Sequence, residues 1–279
     1  MEENSAKLSL GIEMGTFFGK VPYVKRTGGP KQIIVFGSSD ELMICCLKDP
    51  VGKMRQYGMF IPKDCTIWNL GIDPNIPAGY TIEQQCEDYA RVIREKIGPG
   101  AYPIMGVSYG GLPAQVFAAK YPELTSKLIL VVSAYVNNAS GFEFIKDAID
   151  KVSKGQYYEC QQKAVTLSRR KSFQLIMKVM IWSQKKQTIA NWNPPTTLIN
   201  AYTHVLDSGE ERKKFLPNIK APTIIFGGDH DQFFSEEVFR ETAKLIPNAQ
   251  FVFFPGETHG VVMEKRKAIR TGIAEFLAK

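Results

Sequence analysis

The sequence predicts an α/β fold built on a largely parallel sheet, and three observations support this. Short, continuous apolar runs recur along the chain, and stretches with helical spacing separate them. Continuous rather than alternating apolar strands are typical of sheets that are covered on both faces, which are mostly parallel. With 44% hydrophobic and 23% charged residues in 279, the chain has the composition of a globular protein, large enough for one large domain or two small ones.

The predicted strands are short, apolar and bordered by glycine or turn residues. They cover residues 33–36, 66–70, 104–107, 128–132, 223–226 and 250–254. Helical spacing is found at residues 81–97, 112–120, 235–246 and 265–277. Thr81 is a candidate N-cap of the first of these helices, and Gly98 is its stop signal. Strands that alternate with helices in this way predict right-handed crossovers.

A long segment without strand signals interrupts this alternation between about residues 134 and 214. Helices are predicted there at residues 142–152, 156–186 and 197–206. The segment is too long for a simple crossover, so we interpret it as a helical cap or lid inserted between two strands. The predicted domains are a core at residues 1–134 and 216–279 and a cap at residues 135–215.

The cap carries the whole excess of positive charge. The net charge of the chain is +7, but residues 151–220 hold 13 basic against 4 acidic residues, and the remainder holds 22 against 24. Two interpretations stay open: a solvated helix face, or a lid that attracts a carboxylate-bearing substrate or rests on anionic lipid. The basic cluster comprises Lys163, Arg169, Arg170, Lys171, Lys178, Lys185 and Lys186.

Patterns of several other protein classes are missing from the sequence. No zinc finger, RNA-binding aromatic motif or long basic run supports nucleic-acid binding. Residues 1–9 carry acids where a signal peptide is basic, and the longest apolar run, about residues 128–136, is far short of the ~18 residues of a membrane span. The cysteines form no Cys-x-x-Cys motif, so buried thiols in a reducing, cytoplasmic compartment are expected. They are Cys45, Cys46, Cys65, Cys86 and Cys160.

Residues 106–110 read Gly-Val-Ser-Tyr-Gly and place a candidate nucleophile, Ser108, between a buried strand and a helix. This is the context of a nucleophile elbow, in which the serine occupies a tight, strained turn and the residues two before and two after it must be small. Gly106 and Gly110 meet that need, and Gly111 lets the helix approach the sheet. The alternative is a plain connection with an incidental serine.

A serine hydroxyl is a weak nucleophile and needs a base, which in turn needs a carboxylate partner. Of the three histidines, His259 follows the last predicted strand, His204 lies in the cap, and His230 lies beside an acid. The loop position favours His259 as the base. Asp231 and Asp229 both follow the strand at residues 223–226, and position alone barely separates them.

The order of Ser108, an aspartate and then His259, each after a strand, resembles the α/β-hydrolase superfamily over nearly the whole chain. The block at residues 101–132, with Tyr-Pro-Glu at 121–123, is similar to the family's elbow region. The resemblance implies an α/β-hydrolase fold: a mostly parallel eight-stranded sheet flanked by helices, with a helical cap between two strands. It also implies Asp231 as the acid, because the family places that residue last in a Gly-x-x-Asp turn.

By the same resemblance, the oxyanion hole uses the backbone N–H of Tyr109 and that of Ser38, with Ser39 as the alternate. Phe36 stands where the family commonly has histidine, which changes the expected shape of the loop but removes no backbone donor. Phe36, Gly37, Leu112 and the cap residue Trp182 are predicted to bind substrate. Apolar cap residues such as Trp182 could instead only pack the cap on the core.

The leading hypothesis is a carboxylesterase or a lipase-like enzyme that cleaves small-molecule esters with a Ser108, His259 and Asp231 triad. A serine nucleophile argues against the dehalogenase and epoxide-hydrolase branches, which use aspartate. No metal or organic cofactor is expected. An acyltransferase or carbon–carbon hydrolase could use the same triad, and a non-catalytic ligand receptor is a further alternative.

Overall fold

A single sheet of nine strands lies at the centre of the fold. The computed structural model describes residues 5–8, 11–207 and 209–279. The strands are β1 (Ser5–Leu8), β2 (Ile12–Phe17), β3 (Val21–Arg26), β4 (Lys31–Phe36), β5 (Cys65–Leu70), β6 (Tyr102–Val107), β7 (Thr125–Val131), β8 (Thr223–Gly228) and β9 (Ala249–Phe254). Their order is β1-β2-β3-β5-β4-β6-β7-β8-β9. β4 to β9 are parallel, and β1 to β3 extend one edge antiparallel. The sheet is therefore mostly parallel, as predicted.

The six strands predicted from the sequence are β4 to β9, with boundaries that differ by up to three residues. The described sheet has one strand more than the eight expected, and its three N-terminal strands were not located from the sequence. They pair antiparallel, and β2 and β3 mix buried with partly exposed positions instead of being buried along their full length. Phe18 and Gly19 join β2 to β3 with φ of 55° and 67°, as a tight hairpin requires.

Helices flank the sheet on both faces. They are α1 (Asp40–Met43), α2 (Pro50–Gly58), α3 (Ile82–Val92), α4 (Gly111–Lys120), α5 (Ala139–Ser153), α6 (Tyr157–Ala164), α7 (Lys171–Ser183), α8 (Lys185–Asn191), α9 (Pro195–Asp207), α10 (Gly209–Lys213), α11 (Glu236–Leu245), α12 (Val261–Glu264) and α13 (Arg266–Ala278). α3, α4 and α11 bury Tyr89, Phe117 and Phe239 in one apolar core, and α2 and α13 bury Met54 and Ile273 in the other. The Thr81 cap of α3 is present as a capping box with Gln84.

The segment between β7 and β8 is helical in the described residues and comprises α5 to α10. The predicted helix at residues 156–186 is broken at Val165–Leu167 and again at Gln184. Asn193 joins this segment to α1: its side chain donates to the Glu41 carbonyl at 2.8 Å, and its backbone N–H donates to the Met43 carbonyl at 2.7 Å. The division into core and cap at residues 134/135 and 215/216 stays a prediction.

Two sequence-based expectations concern membranes and targeting. No helix in the described ranges is both long enough and apolar enough to cross a membrane. The expectation of no signal peptide rests on residues 1–9, which lie outside the described residues except for β1.

Candidate active site

The register of the parallel strands brings the candidate residues to one edge of the sheet. Phe36 at the end of β4 pairs with Gly106 in β6, and Gly228 at the end of β8 pairs with Phe254 at the end of β9. The loops that leave these strands therefore open on the same side, where the sites of parallel α/β sheets form. These loops carry Ser38, Ser108, Asp231 and His259.

Ser108 lies on a strained turn between β6 and α4, with a φ of 52°. Such a conformation is uncommon for a residue with a side chain and is found at functional sites. The glycines around it are required by contact: a Cβ at Gly106 would lie 2.3 Å from the Cα of Gly111, and one at Gly110 would lie 2.3 Å from the Phe36 carbonyl oxygen. The local backbone is thus the elbow that the Gly-x-Ser-x-Gly pattern predicts.

His259 lies between Ser108 and Asp231 and contacts both. Its Nε2 is 2.9 Å from the Ser108 Oγ, and its Nδ1 is 2.8 Å from Oδ2 and 3.0 Å from Oδ1 of Asp231. The carboxylate favours a proton on Nδ1, which leaves the Nε2 lone pair to accept the serine proton. The rings of Phe233 and Phe234 flank the imidazole, with ring centroids 4.6 and 6.2 Å away, and help to bury it.

Asp231 and Asp229, which the sequence left close together as candidates, have different contacts. Asp231 Oδ1 also accepts the backbone N–H groups of Phe233 and Phe234, at 2.8 and 3.1 Å, so its carboxylate is held in place. Asp229 instead accepts the backbone N–H of Gly256 at 2.7 Å. The structure places Asp231 against His259, and Asp229 braces the loop that carries the imidazole.

The other two histidines lie elsewhere. The backbone N–H of His230 donates to the Glu257 carbonyl at 3.0 Å, within the same loop cluster. His204 is on α9 and borders a narrow recess formed with Tyr80 and Gln85. Neither lines the cavity that contains Ser108.

A second set of contacts joins the His259 loop to residues 167–170, which we call the latch segment. The Leu167 carbonyl accepts the Gly260 N–H at 3.0 Å and the Thr258 hydroxyl at 2.8 Å. One oxygen of Glu264 accepts the Ser168 hydroxyl at 2.7 Å and the N–H groups of Arg169 and Arg170 at 3.1 and 3.2 Å. The helical insertion therefore holds the loop that positions the imidazole.

Burial alone would raise the pKa of the Glu264 carboxyl. The hydrogen bonds that it accepts outweigh this effect, so its pKa is lowered from the ordinary value. Arg169 adds a hydrogen bond to the Gly256 carbonyl at 3.1 Å and lies 3.7 Å from Glu257, a buried acid that Lys265 also approaches at 3.3 Å. Sequence reasoning missed the latch because its partners are about 90 residues apart and follow no local pattern.

A cavity of about 220 Å³ opens beside Ser108 and His259. Its walls come from the strand ends, the loop after β4 and helices α5, α6 and α9, and they are largely apolar. The apolar side chains include Met43, Phe144, Ala148, Ala164, Leu167, Leu198, Phe233 and Val262. Cys160 also lines it, and burial raises the pKa of that thiol to about 11. An apolar pocket against one polar nucleophile suits a substrate with a hydrocarbon part.

The charged group in the cavity wall, Asp40, is already neutralised. Lys53 donates to its carboxylate at 2.5 Å, and the Ser38 hydroxyl donates to the other oxygen. Burial would raise the pKa of Asp40, but the Lys53 ammonium lowers it below its ordinary value. Lys53 also lies 3.4 Å from the buried Glu41. The sequence offered no signal for this cluster beyond its place after β4.

The predicted oxyanion residues lie near the serine. Ser38 and Ser39 line the cavity together with Ser108. Tyr109 and Leu112 line a narrower recess of about 20 Å³ that Ser39 and Ser108 share. Leu112 thus lies beside the serine, where a substrate-binding residue was expected.

Three residues that were predicted to bind substrate, Phe36, Gly37 and Trp182, are not part of the wall of the described cavity. The Phe36 side chain is fully buried in the core, with its ring centroid 4.5 Å from that of Tyr89. Gly37 is not in the cavity wall, and its N–H donates to the Leu70 carbonyl at 2.9 Å. Trp182 is 67% exposed, on the outer surface of α7.

Among the residues that the structure describes, no three His, Cys, Asp or Glu side chains are grouped as ligands of a metal ion. The polar side chains that line the cavity with Ser108 include those of His259, Tyr202 and, in the loop after β4, Ser38 and Ser39. The chemistry that this arrangement can carry out is proton transfer from the serine hydroxyl to His259, followed by nucleophilic attack.

Comparison with known proteins agrees with this architecture. A family model described as serine aminopeptidase S33 matches residues 81–266. The proline iminopeptidase PfmaB of Pestalotiopsis fici is 26% identical over 72% of this chain and 75% of its own length. Lipase 1 of Psychrobacter immobilis is 26% identical over 67% of this chain, but the match spans only 59% of that lipase.

The crystal structure of MGS-M2, an α/β hydrolase enzyme from a Medee basin deep-sea metagenome library, superposes with a TM-score of 0.74. Its sequence identity to this chain is 18%, and the match covers 95% of this chain and 97% of MGS-M2. At that identity the likeness concerns the fold alone. The α/β-hydrolase fold predicted from the sequence is thereby confirmed.

Proposed function

The chain belongs to the serine aminopeptidase S33 family of α/β hydrolases, and we propose that it cleaves carboxylic esters through a covalent acyl-enzyme on Ser108. The observation that carries this proposal is the continuous chain of contacts from the Ser108 hydroxyl through His259 to Asp231. It lies at the mouth of a largely apolar cavity. Hydrolytic activity follows from the family, whereas the ester bond and the triad roles are our proposal.

In the first half-reaction, His259 Nε2 takes the proton of Ser108 as its Oγ attacks the ester carbonyl carbon. The backbone N–H groups of Tyr109 and of Ser38, or alternatively Ser39, would stabilise the negative charge on the carbonyl oxygen. The protonated imidazole, stabilised by Asp231, then gives its proton to the departing alcohol. In the second half-reaction, His259 takes a proton from water, the resulting hydroxide attacks the acyl carbon, and the proton returns to Ser108.

The cavity favours an ester over a peptide with a free amino terminus. An aminopeptidase must bind a protonated amino group, for which an unpaired carboxylate is the natural partner. Asp40 is the acidic side chain in the described cavity wall, and Lys53 and Ser38 already engage it. Apolar walls beside the serine instead suit the hydrocarbon part of an ester.

An aminopeptidase remains the second candidate, because the family description and one relative carry that activity. An acyltransferase or a carbon–carbon hydrolase would also use the same three residues. Each alternative predicts a different product. Cleavage of a proline arylamide would support the peptidase, and acyl transfer to an added alcohol or thiol in preference to water would support the transferase.

The test compares wild type, Ser108→Ala and Ser153→Ala on short nitrophenyl esters and on proline nitroanilide. We expect ester turnover by wild type and a loss of about 10⁴-fold or more in Ser108→Ala, because the nucleophile is removed. Ser153→Ala, an exposed change at the end of α5, controls for handling and should match wild type. Full esterase activity in Ser108→Ala would refute the proposal.

A further inference from the structure

Helix α7 is apolar on the face that points away from the protein. Its inner face contributes the buried Ile181, so the helix is already packed on one side. Five large apolar side chains nevertheless remain 42–67% exposed. They are Leu175, Ile176, Val179, Met180 and Trp182. At about 100° per residue they cover an arc of roughly 160° on the outer surface. An exposed apolar patch rimmed by polar residues is typical of an interaction surface.

Charge is segregated onto this part of the chain. Residues 160–206 contain seven Lys and Arg and no Asp or Glu, so they carry the whole net charge of +7, and the remaining 28 basic and 28 acidic residues cancel. Lys171 and Lys178 lie seven residues apart and flank the apolar arc on the side of Trp182. Lys186 follows in α8.

The lysines beside the apolar arc are available for an external partner. Lys163 pairs with Asp147 at 2.7 Å, and Lys185 lies over the Tyr158 ring at 4.4 Å. Within the described residues, by contrast, no acidic side chain forms a salt bridge with Lys171, Lys178 or Lys186. The apolar arc and its bordering lysines are complementary to a surface with an anionic outer layer and an apolar interior.

We propose that the outer face of α7 docks on an anionic lipid bilayer, with Leu175, Val179 and Trp182 in the interface and Lys171 and Lys178 at the headgroups. Interfacial helices combine Lys on the polar flank with Trp and Leu on the apolar face in this way. A second copy of this chain is a poor partner, because face-to-face pairing would bring two purely basic segments together. The latch segment that precedes α7 links the docked helix to the His259 loop.

Vesicle flotation tests the proposal with the full-length protein. We expect binding to phosphatidylcholine vesicles that contain phosphatidylserine and weaker binding to phosphatidylcholine alone. Lys171→Glu/Lys178→Glu should reduce binding to the anionic vesicles more than about tenfold, since each cation near such a surface contributes. Leu175→Ser/Val179→Ser should reduce binding to both vesicle types. Lys244→Glu/Lys267→Glu, the same charge change at exposed positions of α11 and α13, should bind like wild type.

Tryptophan fluorescence gives an independent signal, because Trp182 is exposed, Trp68 is buried and Trp192 is partly buried. Anionic vesicles should shift the emission to the blue in wild type and leave the emission of Trp182→Phe unchanged. Absence of wild-type binding to the anionic vesicles would overturn the proposal, as would equal binding by Lys171→Glu/Lys178→Glu. A dimer in lipid-free buffer that Leu175→Ser/Val179→Ser dissociates would also overturn it. None of these measurements depends on hydrolytic activity.

Discussion

Two aspartates that lie two positions apart in the same loop have different contacts in the active site. Asp231 contacts the imidazole of His259, and Asp229 holds the backbone N–H of Gly256. Spacing alone could not separate them. The resemblance to the family, through the Gly-x-x-Asp pattern, implied Asp231, and the Asp231 carboxylate lies 2.8 Å from His259 Nδ1.

Asp231→Asn should lower kcat/KM for a nitrophenyl ester by about 10³- to 10⁴-fold, because an amide no longer holds the proton on Nδ1 or stabilises the imidazolium. Asp229→Asn should stay within about tenfold of wild type, since its Oδ1 can still accept the Gly256 N–H. Steady-state kinetics on both variants, with thermal unfolding as the folding control, check this. Equal damage from the two substitutions would contradict the assignment of Asp231.

Single residues also mark where sequence reasoning ended. The elbow around Ser108 was predictable because glycine spacing and strand context are local properties. The exposure of Trp182 was not predictable, because helical periodicity alone does not show whether an apolar residue of a cap helix faces the core or the solvent. Asp40 and Lys53 come into contact because α2 packs beside the segment that follows β4. No local sequence motif predicts such a contact.

At the scale of elements, the latch segment couples the helical insertion to the His259 loop. Glu264 at the end of α12 accepts three hydrogen bonds from residues 168–170, and the Leu167 carbonyl accepts two from the loop. The His259 loop keeps its imidazole in position only while its contacts with the latch segment are intact. Loss of the latch should therefore change turnover as well as stability.

Glu264→Gln should lower the free energy of unfolding by about 1 kcal/mol at pH 7, because charge-assisted hydrogen bonds become neutral ones. The folded-state pKa of Glu264 is lowered, so its stabilisation is complete above the unfolded value of about 4.3 and disappears as the pH falls through the folded value. The difference from wild type should shrink accordingly in urea unfolding below that range. Glu275→Gln, an exposed change on α13, is the matched control. A deficit of the same size at all pH values would contradict this account.

At the scale of the whole molecule, most of the sheet could be predicted from the sequence, whereas the cavity could not. The six parallel strands were predictable because each is a continuous buried run. The antiparallel edge of β1 to β3 was not; β2 and β3, for example, mix buried with partly exposed positions. The cavity depends on how α5, α6 and α9 cover the strand ends, and helix periodicity does not specify that arrangement.

The size of the cavity sets an expectation for the substrate. At about 220 Å³ it is smaller than the roughly 300–1,000 Å³ of pockets for drug-sized ligands. We expect kcat/KM for nitrophenyl esters to be highest for short acyl chains and to fall for long ones. Ala164→Phe in the wall should move the optimum to shorter chains, whereas Ala268→Phe on the exposed side of α13 should not. An unchanged profile in Ala164→Phe would show that the acyl group binds elsewhere.

The most direct test of the central claim is the mass of the protein during turnover. An excess of a nitrophenyl ester is mixed with the enzyme, the reaction is quenched in acid during turnover, and the intact mass and the peptide that contains Ser108 are measured. The account predicts one acyl group per chain, located on Ser108 and absent in Ser108→Ala. An acyl group on another residue, or rapid turnover with no adduct on Ser108 in trapping experiments with a fluorophosphonate, would contradict it.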